Sequence, residues 1–388
     1  HVWSLENAAV VISRLHRGEK RLVFCDSRAA CERLGSALMS AGIRTFVSHA
    51  SLSMAERKAA EQAFAEERDC VIVATSTLEL GIDVGDLDRV IQIDSPSTVS
   101  SFLQRMGRAG RRAGAMRNCL FLTTGTRGFL QALGVTRLWS TGWVEAVTPA
   151  PLPWNVVAQQ SLLISLEKGL CTRVEILRTL RACFPELDEA GIEDCVQTLL
   201  DRGYLAAPEA GVLQIGPEAE NIFGRAHYRD LLATFSGSDL LLGKFGVHEI
   251  GYLDPSGLVG EEAERRVLLA GRSWSVVSID WRRRTAALEP SDQQGQARWI
   301  GGAGSLSCEI AESIRLALRE GMLDATRLSK RATQALLELQ DELPTAEASF
   351  GQQELANGRF RVWTFLGTRR NRRLLIDYRS QGARQCDS

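Results

Sequence analysis

The stretch "CVIVATSTLELGIDVGDLDRVIQID" runs from Cys70 to Asp94, and its reading decides the fold. Its two ends, Cys70 to Thr75 and Asp88 to Asp94, are short runs rich in Val and Ile, which predict buried strands. Between them Thr75, Gly81 and Asp83 stand at the spacing T-x5-G-x-D, directly after the first strand. In open α/β sheets, ligands sit at the carboxyl ends of the strands.

Outward from this stretch, two periods alternate. "RLVFCDS" (Arg21 to Ser27) predicts a buried strand, and "RAACERLGSALMSAG" predicts a helix that stops at Gly42. "IRTFVSH" predicts another strand. Ser53 then opens a helix, and Glu56 completes a capping box. "RNCLFLTT" (Arg117 to Thr124) predicts a further strand. Strand–helix alternation implies a RecA-like parallel sheet covered on both faces, placed at residues 1–148. The prolines of "TPAPLPWN" (Thr148 to Asn155) end it. Helical spacing over Asn155 to Leu166, Thr172 to Ala182 and Asp188 to Arg202, then a hairpin in "GYLAAPEAGVLQIG", predict a winged helix at 149–227. Residues 228–388 carry short strands with Gly and Pro turns and a helix at Glu309 to Glu320. They predict a β-rich α+β domain with a small barrel or curved sheet. The expected fold class is therefore multidomain: α/β lobe, winged helix, α+β domain.

A chain of 388 residues is too long for one ordinary core. Its net charge of −1 excludes an overall basic field, so anion binding must use local patches. The densest are Arg105 to Arg117, Arg282 to Arg284 and Arg369 to Arg373. Nine cysteines without a Cys-x-x-Cys pair read as buried free thiols in a reducing cytoplasm. The five histidines lie outside zinc-ligand spacing. No apolar run is long enough to span a bilayer, so no membrane partner is expected. The chain opens on His1, and we expect it to be a piece of something longer.

The chemistry concentrates in "QRMGRAGRR" (Gln104 to Arg112), at the end of a helix that begins near Ser97. Arg108 and Arg111 are three apart, and Gln104 precedes Arg108 by four, so all can share one face. A positioned guanidinium stabilises the charge spread over a phosphoryl group in flight without needing a proton. The chain offers no phosphate loop. "SDLLLGKF" (Ser238 to Phe245) lacks both the first glycine and the hydroxyl after lysine. "DEAG" (Asp188 to Gly191) opens a helix, where acids suit the dipole, rather than following a strand.

Ser27 and Arg28 in "VFCDSR", then "TSTLELGIDVGD", then "QRMGRAGRR" resemble motifs IV, V and VI on the second RecA-like lobe of superfamily 2 helicases. "LLAGRSWSVVSIDWRRRTAALEP", "WIGG" and "VWTFLGTRRNRRLL" resemble the domain after the winged helix in the Lhr (large helicase-related) family. That resemblance implies an ATP-driven, 3′-to-5′ translocase on single-stranded DNA that unwinds duplexes or DNA–RNA hybrids, linked to DNA repair. It implies that Gly81, Asp83, Gly107, Arg108 and Arg111 face the nucleotide, with Asp83 near the ribose, and that Arg108, Arg111 and Gln104 serve hydrolysis. The phosphates and Mg2+ would be held by a first lobe, in cis or in trans, so this chain alone is expected to be inactive. Nucleic acid is expected at Ser27, Arg28, His49, Thr75 and Ser76, where hydroxyls and backbone N–H groups can grip phosphates. Trp281 with Arg282 suits base stacking or a small core, and Trp274 suits a core. Two alternatives stay open: a non-catalytic nucleic-acid-binding protein that keeps the lobe as scaffold, and one subunit of a split helicase.

Overall fold

The computed structural model describes residues 1–78, 87–110, 117–147, 152–224, 228–232, 240–258, 266–296, 305–324, 327–342, 351–354 and 360–380. The chain divides into two compact units, His1–Glu145 with Asp239–Ser388, and Ala146–Ser238.

The first unit begins with α1 (Leu5–Arg14), a helix absent from the expected elements and capped by Ser4. Then follow β1 (Lys20–Phe24), α2 (Arg28–Ser40), β2 (Thr45–Ser48), α3 (Met54–Glu66) and β3 (Cys70–Ala74). β4 (Arg89–Ile93), α4 (Val99–Met106), β5 (Leu120–Leu122) and α5 (Thr126–Ser140) complete the lobe. The five strands are parallel, in the order β2-β3-β1-β4-β5. Successive residues enter opposite cores. Val23, Val73 and Ile91 share a core with α1 and α2, while Leu22, Ile72 and Val90 pack with Phe64 of α3. Burial on both faces is why these strands read as unbroken apolar runs.

The second unit comprises α6 (Trp154–Lys168), β6 (Cys171–Thr172), α7 (Arg173–Cys183), α8 (Glu189–Asp201), β7 (Leu205–Glu209), β8 (Val212–Ile215) and α9 (Pro217–Phe223). Its small antiparallel sheet has the order β6-β8-β7, and Val157, Ile176, Val196 and Leu213 belong to its own core. Asp188 of "DEAG" caps α8, accepting from Gly191 N at 2.6 Å.

The first unit resumes with β9 (Leu241–Phe245), β10 (His248–Leu253), β11 (Arg266–Leu269), β12 (Arg272–Asp280) and β13 (Thr285–Pro290). This sheet has the order β10-β9-β13-β12-β11, antiparallel except between β13 and β9. Lys244 of "SDLLLGKF" is thus a strand residue, within 3.3 Å of Glu249. Leu241, Trp274 and Ala286 share one core with Val23 and Val73, so the sheet closes over the α1–α2 side of the lobe. "ARWIGG" (Ala297 to Gly302) lies outside the described residues.

The chain ends with α10 (Cys308–Glu320), α11 (Lys330–Glu342), β14 (Gly351–Glu354), β15 (Phe360–Trp363) and α12 (Gly367–Ser380). α10 lies against α5, where Ser313 Oγ donates to Gly134 O at 3.0 Å. A Cβ on Gly134 would meet Ile314 at 2.7 Å, so only glycine permits this approach. Among the described residues, no helix is long and apolar enough to cross a membrane.

Candidate functional site

The carboxyl ends of β1, β3, β4 and β5 open onto one cleft of about 790 Å³. Ser27, Thr75 and Ser76, three of the residues expected from sequence, line it together. Each is placed by local backbone chemistry. Ser27 caps α2, its Oγ accepting from Ala30 N at 3.1 Å. Thr75 N donates to Ser48 O at 3.2 Å, which holds it at the sheet's edge. Ser76 is exposed and begins a single 3-10 turn, Ser76–Leu78.

The other expected contacts lie elsewhere. Arg28 is half-buried, and its guanidinium donates to Ser51 Oγ at 2.8 Å. His49 corrects the expectation of a polar loop contact: it is fully buried, and its Nε2 lies 2.7 Å from Glu32 Oε1. The loop that carries it is held by β10, because Ser53 N donates to Ile250 O at 3.0 Å and Tyr252 N to Ser51 O at 2.6 Å. Trp281 is 61% exposed in the β12–β13 turn, with Arg282 exposed beside it, whereas Trp274 is 4% exposed and bonded to Leu269 O.

Two residues to which sequence reading gives no role of their own shape the cleft. Arg105 projects from α4 and is 5% exposed. Its Nη1 donates to Asp26 Oδ1 at 2.7 Å and to Gln92 Oε1 at 2.6 Å, with the guanidinium 5.1 Å from the Phe24 ring. The signal was available: Arg105 follows Phe102 by three, on the helix's buried face with Val99. Asp94, at the end of β4, adopts φ +56 and accepts from Thr124 N at 2.7 Å and from Thr124 Oγ1. A Cβ on Gly128 would come within 2.3 Å of its carboxylate, so glycine is required there. A non-glycine residue held at positive φ at a cleft is a point of backbone strain.

"QRMGRAGRR" begins on the last turn of α4, but the helix ends at Met106 with Gly107 as its cap. Gln104 is exposed on that turn, and Arg108 follows the cap, half-buried; the helix end expected to carry both arginines therefore stops short of Arg108. The parallel bridge Leu87–Ala109 pins this segment beside the approach to β4. Neither Gln104 nor Arg108 lines the strand-end cleft. Gly81, Asp83 and Arg111 lie outside the described residues. Among the described residues, no group of three His, Cys, Asp or Glu side chains could hold a metal ion.

A family model described as the helicase conserved C-terminal domain matches residues 4–113. The chain is 27% identical over 286 residues to the Lhr helicase/uracil glycosylase of Escherichia coli K12, an alignment covering 69% of this chain and 18% of that protein. It is 38% identical over 118 residues to the Lhr helicase/probable uracil glycosylase of Mycolicibacterium smegmatis, covering 30% of this chain and 8% of the relative. The chain thus spans less than a fifth of either relative. The structure of Mycobacterium smegmatis helicase Lhr bound to ssDNA and AMP-PNP shares its fold, with a TM-score of 0.62 and 22% identity over 92% of this chain and 46% of that one. Residues 4–113 therefore match a helicase conserved C-terminal domain, and the chain is similar in sequence and in fold to Lhr helicases.

Proposed function

We propose that this chain forms the second motor lobe and following domains of an ATP-dependent, 3′-to-5′ translocase on single-stranded DNA. In the intact protein it unwinds tailed duplexes or DNA–RNA hybrids, in the service of DNA repair in the cytoplasm. The observation that carries this reading is the strand-end cleft, where Ser27, Thr75 and Ser76 converge. Hydroxyls and backbone N–H groups grip phosphate oxygens without reading bases, which suits movement along a strand. The ssDNA and AMP-PNP in the mycobacterial Lhr structure support the same partners. The roles divide at the boundaries 1–148, 149–227 and 228–388. Helices α6, α7 and α8 with the small sheet of the second unit support a winged helix there, and exposed Trp281 with Arg282 supports stacking on a base.

ATP, held with Mg2+ by a first lobe in cis or in trans, supplies the free energy. This chain contributes Gln104, Gly107, Arg108 and, beyond the described residues, Gly81, Asp83 and Arg111. The guanidinium of Arg108 and the amide of Gln104 are donors, which fits a phosphate neighbour. The chain alone should hydrolyse ATP only at background.

The test is binding of a labelled single strand to the full chain, followed by fluorescence anisotropy. Replacing Thr75 by Val and Ser76 by Ala removes two hydroxyls from the cleft. A hydrogen bond to a charged group is worth about 1.5–3 kcal/mol, so the pair should weaken binding at least about tenfold. Unchanged affinity in a folded variant would overturn the cleft as the strand's path.

A further inference from the structure

The third arginine cluster of the sequence falls in α12 and has no part in the cleft. We propose that the arginine face of α12 docks on the phosphate backbone of a nucleic-acid duplex. Arg369, Arg370, Arg372 and Arg373 are all exposed. At about 100° per residue they occupy an arc of about 160°, a single face of the helix. Among the described residues none of the four has an ion-pair partner within 4.0 Å, although Arg370 is near enough to Glu309 to feel its charge. The first turn of α12 contains no acid. Arg369 and Arg373 repel at i,i+4, and Arg370 and Arg373 at i,i+3, which weakens a helix in isolation. A polyanion laid along this face removes that repulsion.

The chemistry selects the kind of polyanion. No aromatic residue interrupts Arg369 to Arg373, and the side chain of Asn371 is engaged by Thr364 Oγ1. This face offers charge without stacking, so it fits phosphates and has nothing for a splayed base. The Trp281 turn differs in pairing an exposed ring with the charge of Arg282. The face is also rigidly mounted. Thr368 N donates to Leu306 O and Leu306 N to Thr368 Oγ1, both at 2.8 Å, which fixes the start of α12 to the start of α10. α10 in turn lies on α5, whose first turn supplies Arg127 and Gly128 to the cleft. One stack of helices therefore carries both the cleft and a duplex-facing surface.

The experiment compares the full chain with a variant in which Arg369, Arg370, Arg372 and Arg373 are all Gln. The probes are a short blunt duplex and a single strand of equal length, titrated at several salt concentrations. Loss of four phosphate contacts should lower duplex affinity about tenfold or more and flatten the slope of log K against log salt by about 3–4. Single-strand affinity should fall clearly less, because the strand is still held at the cleft. If the quadruple variant fails to fold, the pair Arg369→Gln with Arg373→Gln should give about half the slope change. Unchanged duplex affinity and slope would overturn the proposal, as would equal losses for both probes. So would loss of poly-glutamate binding with duplex binding intact, which would reassign the face to an acidic protein. Failure of the cleft reading is seen separately, in the Thr75 and Ser76 variant with the single strand.

Discussion

Glu32 of α2 and His49 after β2 meet at 2.7 Å with both side chains fully buried. Ser51 N donates to His49 Nδ1 at 3.3 Å, so the ring proton sits on Nε2 and points at the carboxylate. The same carboxylate accepts from Ala270 N at 2.7 Å and from Gly271 N at 2.5 Å. One buried acid therefore ties the parallel-sheet lobe to the turn between β11 and β12. Gly271 is held at φ +72, and a Cβ there would meet Met39 at 2.7 Å, so any other residue at this position would be strained.

Glu32→Ala leaves three N–H donors, two buried and one partly buried, without their acceptor. A donor left unsatisfied in the interior costs about 1–3 kcal/mol, so urea unfolding should show a loss of several kcal/mol. Glu32→Gln should lose less, because its amide oxygen still accepts while its NH2 faces donors. A loss below about 1 kcal/mol for the alanine variant would mean that the tie contributes little to holding the β-sheet on the lobe.

Arg105→Lys should be poorly tolerated. Nη1 donates to both Asp26 and Gln92 while the flat guanidinium lies over Phe24, and a shorter lysine with a compact ammonium cannot copy that placement. We expect a fall in Tm together with weaker single-strand binding, since the residue lines the cleft. Native Tm and native binding in the lysine variant would reduce Arg105 to a generic cation.

The two tryptophans of the second sheet should separate cleanly. Trp274→Ala opens a cavity in the shared core and should cost about 3–5 kcal/mol of stability. Trp281→Ala removes an exposed ring and should leave Tm nearly unchanged, while single-strand affinity falls by about 1–3 kcal/mol. A lowered Tm with intact affinity would place Trp281 in packing instead.

Arg108→Ala is the test of the second arginine role, measured in a protein that joins this chain to a nucleotide-holding lobe. Turnover should drop by about 10³–10⁵, with single-strand affinity largely kept. Arg108→Lys should rescue poorly, for want of the planar fork. Equal losses of turnover and strand affinity would reassign the residue to the nucleic acid.

The thiols give a pH prediction. Burial pushes Cys70 up to about 11 and Cys119 up to about 12, and raises Cys25 and Cys31 as well. A raised thiol value means that the folded state favours the neutral form. The stability this contributes is complete below the ordinary value of 9.0 and is lost as pH climbs through the folded values. Urea midpoints should therefore hold at about pH 8 and fall from about pH 9 upward. Among the described cysteines, exposed Cys183 should react first with a thiol reagent, and the buried ones only on unfolding. Rapid modification of Cys25 or Cys31 in the folded chain would contradict their burial.

The sequence alone determined the strand–helix alternation of the lobe, because runs buried on both faces and capped helices leave local, periodic marks. It also placed Ser27, Thr75 and Ser76 at strand ends, since a parallel sheet puts every strand's carboxyl end on the same edge. Helix α1 escaped that reading. Only the tertiary structure decided the rest. His49 reads as a loop residue from its neighbours, yet it is buried because Glu32 lies against it and β10 covers its loop. Arg105 looks like one more phosphate-facing arginine until Asp26 and Gln92 are seen around it. The closing of the second sheet over the lobe depends on Glu32 meeting Gly271, 239 positions later. Local periodicity records which face a residue is turned to, but not which distant residue waits there, and that pairing is fixed only when the cores close.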